Sequence, residues 1–338
     1  MLNKLRHHRP ELRLTVRSLI PAEKLRARLP GEFTHRCESS DFGYVMHDAV
    51  SIDLPTTASK YRALHANWPQ RIAEEAKFIA QLNPDLVLTD VAYLPLAGAA
   101  LAGIPSMSMC SLNWADLFLH FFGNQPWAAP IHRDMLAAYR SAKHFLRLTP
   151  AMPMPDLASH CQAVSPVATM GKDIRGELQE KLGIDDDTRF ALVAFGGFDK
   201  ELSAKQWPHT RNLHWLVPQS WPVTRIDMTA FEPLGFRIID LIHSVDVILT
   251  KPGYGIFSEA ACNGTAVLYL RREDWPEQEY LIDWLEKNTR CREIEASTLL
   301  DGTTLTAALE ALLRPSPPRP PTPSGAAQAA LLISSYLP

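Results

Sequence analysis

Short apolar runs alternate with longer amphipathic stretches along the first half of the chain. The short runs predict strands, and the stretches with apolar residues at helical spacing predict helices. The predicted strands are residues 11–16, 85–89 and 106–109, and the predicted helices are residues 22–28, 61–82 and 94–102. Strands that alternate with helices in this way build a parallel sheet with helices on both faces.

The alternation returns in the second half, after a proline-rich stretch without periodicity. Residues 173–182 predict a helix, residues 189–195 a strand, and residues 245–270 a strand, a turn, a helix and another strand. The chain is long enough for two α/β domains, each with its own core. The predicted divisions are 1–150 for the first domain, 151–167 for a linker, 168–314 for the second domain, and 315–338 for a proline tract with a C-terminal helix.

The start of the chain departs from this pattern. Residues 1–10 have the character of the last turns of a helix that leads into the strand at residues 11–16. A first strand and its loop are therefore expected to be missing from the first domain. In doubly wound folds the loop after the first strand is a favoured ligand site.

Composition narrows the class of protein. Apolar residues make up 46% of the 338 residues and charged residues 21%, and the net charge is −3, so nucleic acid is not an expected partner. The five cysteines are far apart and the first twenty residues lack an apolar core, which together indicate a cytoplasmic protein. Prolines and glycines interrupt the uncharged stretch 91–115, so a packed α/β core fits it better than a membrane span.

The most informative stretch is residues 245–278. An apolar strand ends at Lys251, and a Pro-Gly-Tyr-Gly turn (residues 252–255) then opens a helix that carries Glu259. Gly253 and Gly255 allow a phosphate to approach the backbone, and a helix N-terminus attracts an anion. Glu259 lies on the same helix face as Gly255 and suits a ribose diol. The structural alternative is that the glycines only permit a tight turn.

Two further features extend this pocket. Gly196 and Gly197 follow another buried strand, and parallel strands bring such turns to one edge of a sheet. Gln278 and Glu277 begin a helix after the second strand of the stretch, where an amide suits sugar hydroxyls. Residues 274–277 also fit a capping box, with Asp274 as N-cap. The near match to a dinucleotide fingerprint at Gly253 lacks the third glycine, and no metal or other cofactor is expected.

Residues 247–278 resemble the donor-nucleotide site of GT-B glycosyltransferases, and in particular of the MurG-like and UDP-glycosyltransferase-like group. Residues 85–116 resemble the acceptor-side domain of that group. The resemblance implies two Rossmann-like parallel-sheet domains that face a cleft, and a C-terminal helix that crosses back to the first domain. It also implies that Glu259 holds the ribose, that the turn Gly253-Tyr254-Gly255 holds the diphosphate, that Glu277 and Gln278 face the donor sugar, and that Gly196 and Gly197 line the cleft.

The resemblance implies transfer of a sugar from a nucleotide diphosphate sugar, UDP-linked, to the hydroxyl of a small-molecule or lipid-linked acceptor. Lys251 and the helix dipole would serve the leaving diphosphate. Members of the group usually carry their general base in the first loop, which this sequence lacks. Asp41 and then Asp116 are the remaining candidates for the base, although each also has a structural interpretation.

Two alternatives stay open. A nucleotide-sugar binding protein without catalytic activity would explain the absent first loop. A nucleotide-sugar epimerase with the GT-B fold would need further acid and base residues, which the sequence does not identify. Neither nucleic acid nor a membrane span is an expected partner, and peripheral contact with a membrane is compatible with the sequence.

Overall fold

The computed structural model describes residues 1–47, 51–195, 202, 204–221, 225–272 and 274–338. Two compact units divide the chain. The first comprises Met1–Val45, Ile52–Ser165 and Ser324–Pro338, and the second comprises Met46–Ser51 and Pro166–Pro323. Each unit is an α/β structure with parallel strands, which confirms the predicted fold class at the level of the single domain.

The first unit begins with four short elements and continues with longer ones. Its helices are α1 (Leu2–His8), α2 (Ala22–Arg28), α3 (Leu54–His65), α4 (Trp68–Leu82), α5 (Leu94–Leu101), α6 (Trp114–Phe122) and α7 (Ala128–Ser141). Its strands are β1 (Thr15–Arg17), β2 (Thr34–Arg36), β3 (Val87–Thr89), β4 (Ser106–Cys110), β5 (His144–Leu148) and β6 (Cys161–Val164). Strands β1 and β2 form one parallel pair, and β3-β4-β5-β6 form a separate four-stranded parallel sheet.

Three details of the first unit differ from the sequence interpretation. The predicted helix 61–82 is two helices, because Pro69 lies in the first turn of α4 and starts a new helix there. The predicted strand 11–16 is short and begins only at Thr15. The stretch 151–167, predicted as a linker, contains β6, which pairs with β5 inside the first unit.

The second unit contains one continuous six-stranded sheet. Its helices are α8 (Arg175–Leu182), α9 (Ile238–Ser244), α10 (Tyr254–Asn263), α11 (Glu277–Asn288) and α12 (Gly302–Leu313). Its strands are β7 (Arg189–Val193), β8 (Leu213–Val217), β9 (Met228–Ala230), β10 (Val247–Thr250), β11 (Ala266–Tyr269) and β12 (Cys291–Glu293). All pairs are parallel, in the order β12-β11-β10-β7-β8-β9.

Alternate residues of these strands face opposite sides of the sheet, so the second unit has two apolar cores. Val193, Leu249 and Leu268 share one core with α12. Leu192, Ile248 and Val267 share the other with helices α8 to α11. Because both faces are covered, ligands can reach these strands only at their ends.

The last helix, α13 (Gly325–Ser334), belongs to the first unit. Ala329, Ala330 and Ile333 of α13 pack with Leu5 of α1 and Met107 of β4 in one apolar cluster. The proline tract before α13 therefore ends in a helix that completes the core of the first unit.

Gly98 allows α5 to approach α4 closely, which generates a stability prediction. A Cβ at Gly98 would lie 2.6 Å from Cγ and 2.9 Å from Cβ of the buried Glu75. We expect Gly98→Ala to lower the free energy of unfolding by about 1–3 kcal/mol through overpacking. Gly176→Ala in α8 is the matched control, because a Cβ there meets no atom within 4 Å. Denaturant titration measures both variants, and equal effects would contradict the packing argument.

Candidate functional site

The carboxyl ends of β7 and β10 are tied together at one edge of the second unit's sheet. The buried Thr250 hydroxyl donates a hydrogen bond of 2.5 Å to the carbonyl oxygen of Ala194. The chain then continues from Thr250 into Lys251 and the turn before α10. Gly196 and Gly197, predicted to line the same edge, lie outside the described residues.

The two glycines of this turn are not required by the fold. Neither has a positive φ. A Cβ at Gly255 would meet no atom within 4 Å, and one at Gly253 would only touch neighbours at 4.0 Å. The space beside both residues is therefore open, which a tight-turn explanation does not account for. Gly253 is the N-cap of α10 and supplies no side-chain hydrogen bond to the first N–H groups of the helix.

Tyr254 and Glu259 lie on the first turns of α10. The Tyr254 hydroxyl accepts a hydrogen bond of 3.0 Å from the Val167 N–H, so this side chain anchors the start of the second unit. Glu259 is half-buried, and its backbone carbonyl accepts a hydrogen bond from Asn263. Glu259 follows Gly255 by four residues, which places both on one face of the helix.

Two cations lie where β10 and β11 end. The pKa of Lys251 is lowered to about 8, first by burial and then by the positive charge of Arg272, while Glu277 opposes both effects. Burial also lowers the pKa of Arg272. The Arg272 guanidinium lies 4.0 Å from the centre of the Trp275 ring, and its buried Nε has no hydrogen-bond partner among the described residues.

Glu277 and Gln278 are each only 5% exposed and make hydrogen bonds within the protein. The Trp275 indole donates to the Glu277 carboxylate at 3.1 Å. Gln278 holds the backbone of Arg272 from both sides: its Oε1 accepts from the Arg272 N–H, and its Nε2 donates to the Arg272 carbonyl, both at 3.0 Å. Their predicted contact with a donor sugar stays a prediction.

The predicted capping box at residues 274–277 is wrong. Helix α11 begins at Glu277, its N-cap is Pro276, and no side chain caps it. Asp274 has a φ of 37° and lies before the helix. The Glu277 carboxylate accepts the Trp275 indole N–H instead of reaching back to a backbone N–H.

Asp41 and Asp116, the two candidates for the base, lie in the first unit. The Asp41 carboxylate accepts hydrogen bonds from the Gly43 N–H at 2.8 Å and from the Trp114 indole. Asp116 lies in the first turn of α6, which Asn113 caps by accepting from the Asp116 N–H at 2.9 Å. Burial raises the pKa of both carboxyl groups, which makes each a better proton acceptor than an exposed aspartate.

Comparisons with known proteins agree on the architecture. No protein-family model matches the chain. Among solved structures, the chain is similar to the glycotransferase of kitacinnamycin (TM-score 0.66, 14% identity, 100% of this chain and 95% of that one). It is also similar to CalG4, the calicheamicin glycosyltransferase (0.63, 13%, 98% and 93%). A third is a UDP-glucosyltransferase from Polygonum tinctorium (0.57, 13%, 99% and 89%).

The chain has the GT-B fold. This confirms the fold that the sequence resemblance implies, without favouring the MurG-like members of the group. A curated relative, the L-arabinokinase of Arabidopsis thaliana, is 25% identical over 261 residues. The match takes in 73% of this chain and only 24% of the length of that relative.

The sequence interpretation missed two residues of the GT-B units. Asp90 directly follows β3, and its pKa is raised by burial and by the negative charge of Asp41, while a hydrogen bond from the Cys110 thiol opposes the rise. Arg272 lies three residues after the end of β11. The signal was available in both cases, because each is a charged residue at the carboxyl end of a predicted strand.

In the described part of the chain, the His, Cys, Asp and Glu side chains form no group of three or more arranged to hold a metal ion. None of the helices found there combines the length and the apolar character that a membrane crossing needs.

The Gln278 contacts predict a specific requirement for an amide. Gln278→Glu keeps the acceptor for the Arg272 N–H but loses the donor to its carbonyl, and it buries a charge. We expect the free energy of unfolding to fall by about 1–3 kcal/mol at pH 7. The same substitution at the exposed Gln328, which accepts from the Ser165 N–H, should change it by less than about 0.5 kcal/mol. Thermal unfolding of both variants is the measurement, and similar losses would refute the assignment.

Proposed function

We propose that this protein binds a nucleotide diphosphate sugar, UDP-linked, at the carboxyl edge of the second unit's sheet and transfers the sugar to an acceptor hydroxyl. One observation carries the proposal. Two glycines that the fold does not require open the space at the N-terminus of α10, and Lys251 lies two residues before the first of them. A helix N-terminus with open backbone and an adjacent cation suits a diphosphate.

Each part of this edge has a chemical task in the proposed reaction. When the bond between the sugar and the diphosphate breaks, negative charge develops on the leaving phosphate oxygen. The α10 dipole and the cations Lys251 and Arg272 would stabilise that charge, because they are fixed before the reaction and partly shielded from water. Glu259 would accept hydrogen bonds from the ribose hydroxyls, which ties the nucleoside to the same helix.

The comparisons support the class of substrate. The structural neighbours are described as glycosyltransferases, and the Polygonum tinctorium enzyme is described as a UDP-glucosyltransferase. The relative named L-arabinokinase also acts, by its name, on a sugar. Each of these proteins is only distantly similar to this chain. The proposed substrates are therefore argued from the chemistry of the site.

Transfer also needs a base for the acceptor proton, and the first unit offers three aspartates. Asp41 and Asp90 interact electrostatically, and burial raises the pKa of each. Asp116 lies in the first turn of α6, which begins at Trp114. The Trp114 indole donates a hydrogen bond to the Asp41 carboxylate. We propose Asp41 as the base, because its carboxylate is already oriented by two hydrogen bonds.

A nucleotide-sugar binding protein without turnover is the second candidate. The observation in its favour is that β1 and β3 do not pair with each other, which leaves the first unit's sheet in two parts. Doubly wound sheets bind ligands at the point where the strand order reverses. In the first unit that point lies between β1 and β3, which do not pair. The acceptor side would then be incomplete while the second unit still bound its nucleotide.

Titration calorimetry with UDP, GDP and their sugars, followed by a donor-hydrolysis assay, tests the proposal. We expect UDP to bind and Glu259→Ala to weaken it roughly 10- to 100-fold, the value of hydrogen bonds to a charged group. Glu286→Ala, an exposed change on α11, should leave binding unaltered. Binding without hydrolysis or transfer favours the second candidate. Absence of binding by any nucleotide would reject both.

The pKa of Lys251 predicts how donor binding depends on pH. Lys251 is protonated below its pKa of about 8 and loses its charge as the pH rises through that value. The affinity for UDP-glucose should therefore fall between pH 7 and pH 9, by up to about tenfold per pH unit. Lys251→Met should bind more weakly at pH 7 and show no such fall, whereas the exposed Lys287→Met should behave like the unaltered protein. A fall that persists in Lys251→Met would assign the titration to another group.

A further inference from the structure

Arg272 carries a positive charge for which the described part of the protein supplies no hydrogen-bond acceptor. Its side chain is half-buried, and its guanidinium carbon lies 4.0 Å from the centre of the Trp275 ring. The buried Nε has no hydrogen-bond partner, and no described residue forms an ion pair with this guanidinium. Polar groups that proteins remove from water are normally hydrogen-bonded, so an arginine in this state calls for an explanation.

The position of Arg272 is fixed by its neighbours. Gln278 makes two hydrogen bonds of 3.0 Å to the Arg272 backbone, and the buried Trp275 ring covers one face of the guanidinium. A stacked guanidinium keeps its N–H bonds in its own plane, where the ring does not block them. Because Nε is buried while the residue keeps partial exposure, the two Nη groups are the donors that a ligand can reach.

The charges around Arg272 do not balance. Burial lowers the pKa of both Arg272 and Lys251, the charge of Arg272 lowers that of Lys251 further, and Glu277 opposes the fall in each. Two cations therefore share the influence of a single carboxylate. The remaining positive charge favours an anion at this place, and more so because the cations are partly withdrawn from water.

Arg272 and Lys251 belong to different strand ends. Strands β10 and β11 pair with Thr250 opposite Tyr269, and paired strands lie roughly 4.8 Å apart. Lys251 is the first residue after β10 and leads into the N-terminus of α10, whereas Arg272 is the third residue after β11. Lys251 and the α10 dipole thus accompany the site proposed for the diphosphate. Arg272 lies one strand to the side and two residues further from the sheet, where it would meet the group next to the diphosphate.

We propose that Arg272 pairs with a carboxylate on the donor sugar, so that the donor is a nucleotide-linked uronate and not a neutral sugar. This inference rests on the proposed function, because it takes the diphosphate to lie at the N-terminus of α10. A carboxylate would accept two parallel hydrogen bonds from the Nη groups, an arrangement that a guanidinium favours. A neutral sugar would leave the Arg272 charge unpaired and partly desolvated, at a cost to binding.

Two donors that differ only at carbon 6 of the sugar test this inference. UDP-glucose carries a hydroxymethyl group there, and UDP-glucuronate carries a carboxylate, which is ionised at pH 7. Titration calorimetry of the full chain measures their affinities, with UDP alone as the reference. We expect UDP-glucuronate to bind about 10- to 100-fold more tightly than UDP-glucose, the value of hydrogen bonds between charged groups.

Variants assign this preference to one side chain. Arg272→Gln should lose at least tenfold in affinity for UDP-glucuronate and no more than about threefold for UDP, which makes the two sugar donors nearly equal. Arg272→Lys keeps a charge but loses the planar pair of donors, and should retain only about a threefold preference. Arg292→Gln, an exposed change on β12 of the same sheet, should keep the full preference. Thermal unfolding verifies that the variants fold, since Gln278 contacts only the Arg272 backbone.

The pH dependence separates Arg272 from Lys251. Lys251 loses its charge as the pH rises through about 8, whereas an arginine stays charged. The affinities for both donors should therefore fall between pH 7 and pH 9, while their ratio stays constant. A ratio that falls together with the affinities would assign the sugar carboxylate to Lys251 and overturn the inference.

Two further results would overturn it. Equal affinity for UDP-glucose and UDP-glucuronate, in a protein that binds UDP, rejects the uronate and leaves the proposed function in place. An equal loss of affinity for UDP and UDP-glucuronate in Arg272→Gln would show that Arg272 binds the diphosphate instead. Absence of UDP binding by the unaltered protein is a different outcome, because it rejects the proposed function together with the inference that rests on it.

Discussion

The parallel pairing of β10 with β7 on one side and β11 on the other is the constraint on which the second unit depends. Leu249 lies opposite Val193, and Thr250 lies opposite Tyr269, so the three strands end at nearly the same level. The residues that follow them, Ala194, Lys251 and Leu270, begin the loops at one edge of the sheet. A slip of one residue in either pair would exchange the two faces of a strand and separate these loops.

This edge concentrates positive charge at some cost to the fold. Burial disfavours the charged forms of Lys251 and Arg272, and Glu277 offsets that cost only in part. Arg272 is nevertheless fixed in position, because Gln278 makes two hydrogen bonds to its backbone and the Trp275 ring packs against its guanidinium. A buried Nε without a partner is uncommon in a structural arginine. The arrangement is that of a group oriented in advance for an anion.

Much of the second unit could be predicted from the sequence, because its signals are local. Lys251, Gly253 and Glu259 follow one another within a single strand, turn and helix, and the structure keeps that order. The errors involve competition between neighbouring groups. Residues 274–277 match the sequence pattern of a capping box. That pattern does not show that the Glu277 carboxylate accepts a hydrogen bond from the Trp275 indole.

The first unit was less predictable because its chemistry depends on distant partners. Asp41 owes its raised pKa to burial, and its orientation in part to Trp114, which is 73 residues away in the sequence. Pro69 could have indicated the start of a new helix, but the amphipathic pattern continues across it and favoured one long helix. The separation of β1 from β3 requires knowledge of strand pairing, which no single segment contains.

The placement of Trp114 and Trp275 has an optical consequence. One indole donates a hydrogen bond to Asp41 in the first unit, and the other donates to Glu277 and stacks against Arg272 in the second. Each fluorophore is therefore in direct contact with an ionisable group of a different candidate site, and its emission is sensitive to charge nearby. Single-tryptophan reporters at these two positions would let the two halves of the chain be observed separately, in solution and without an added label.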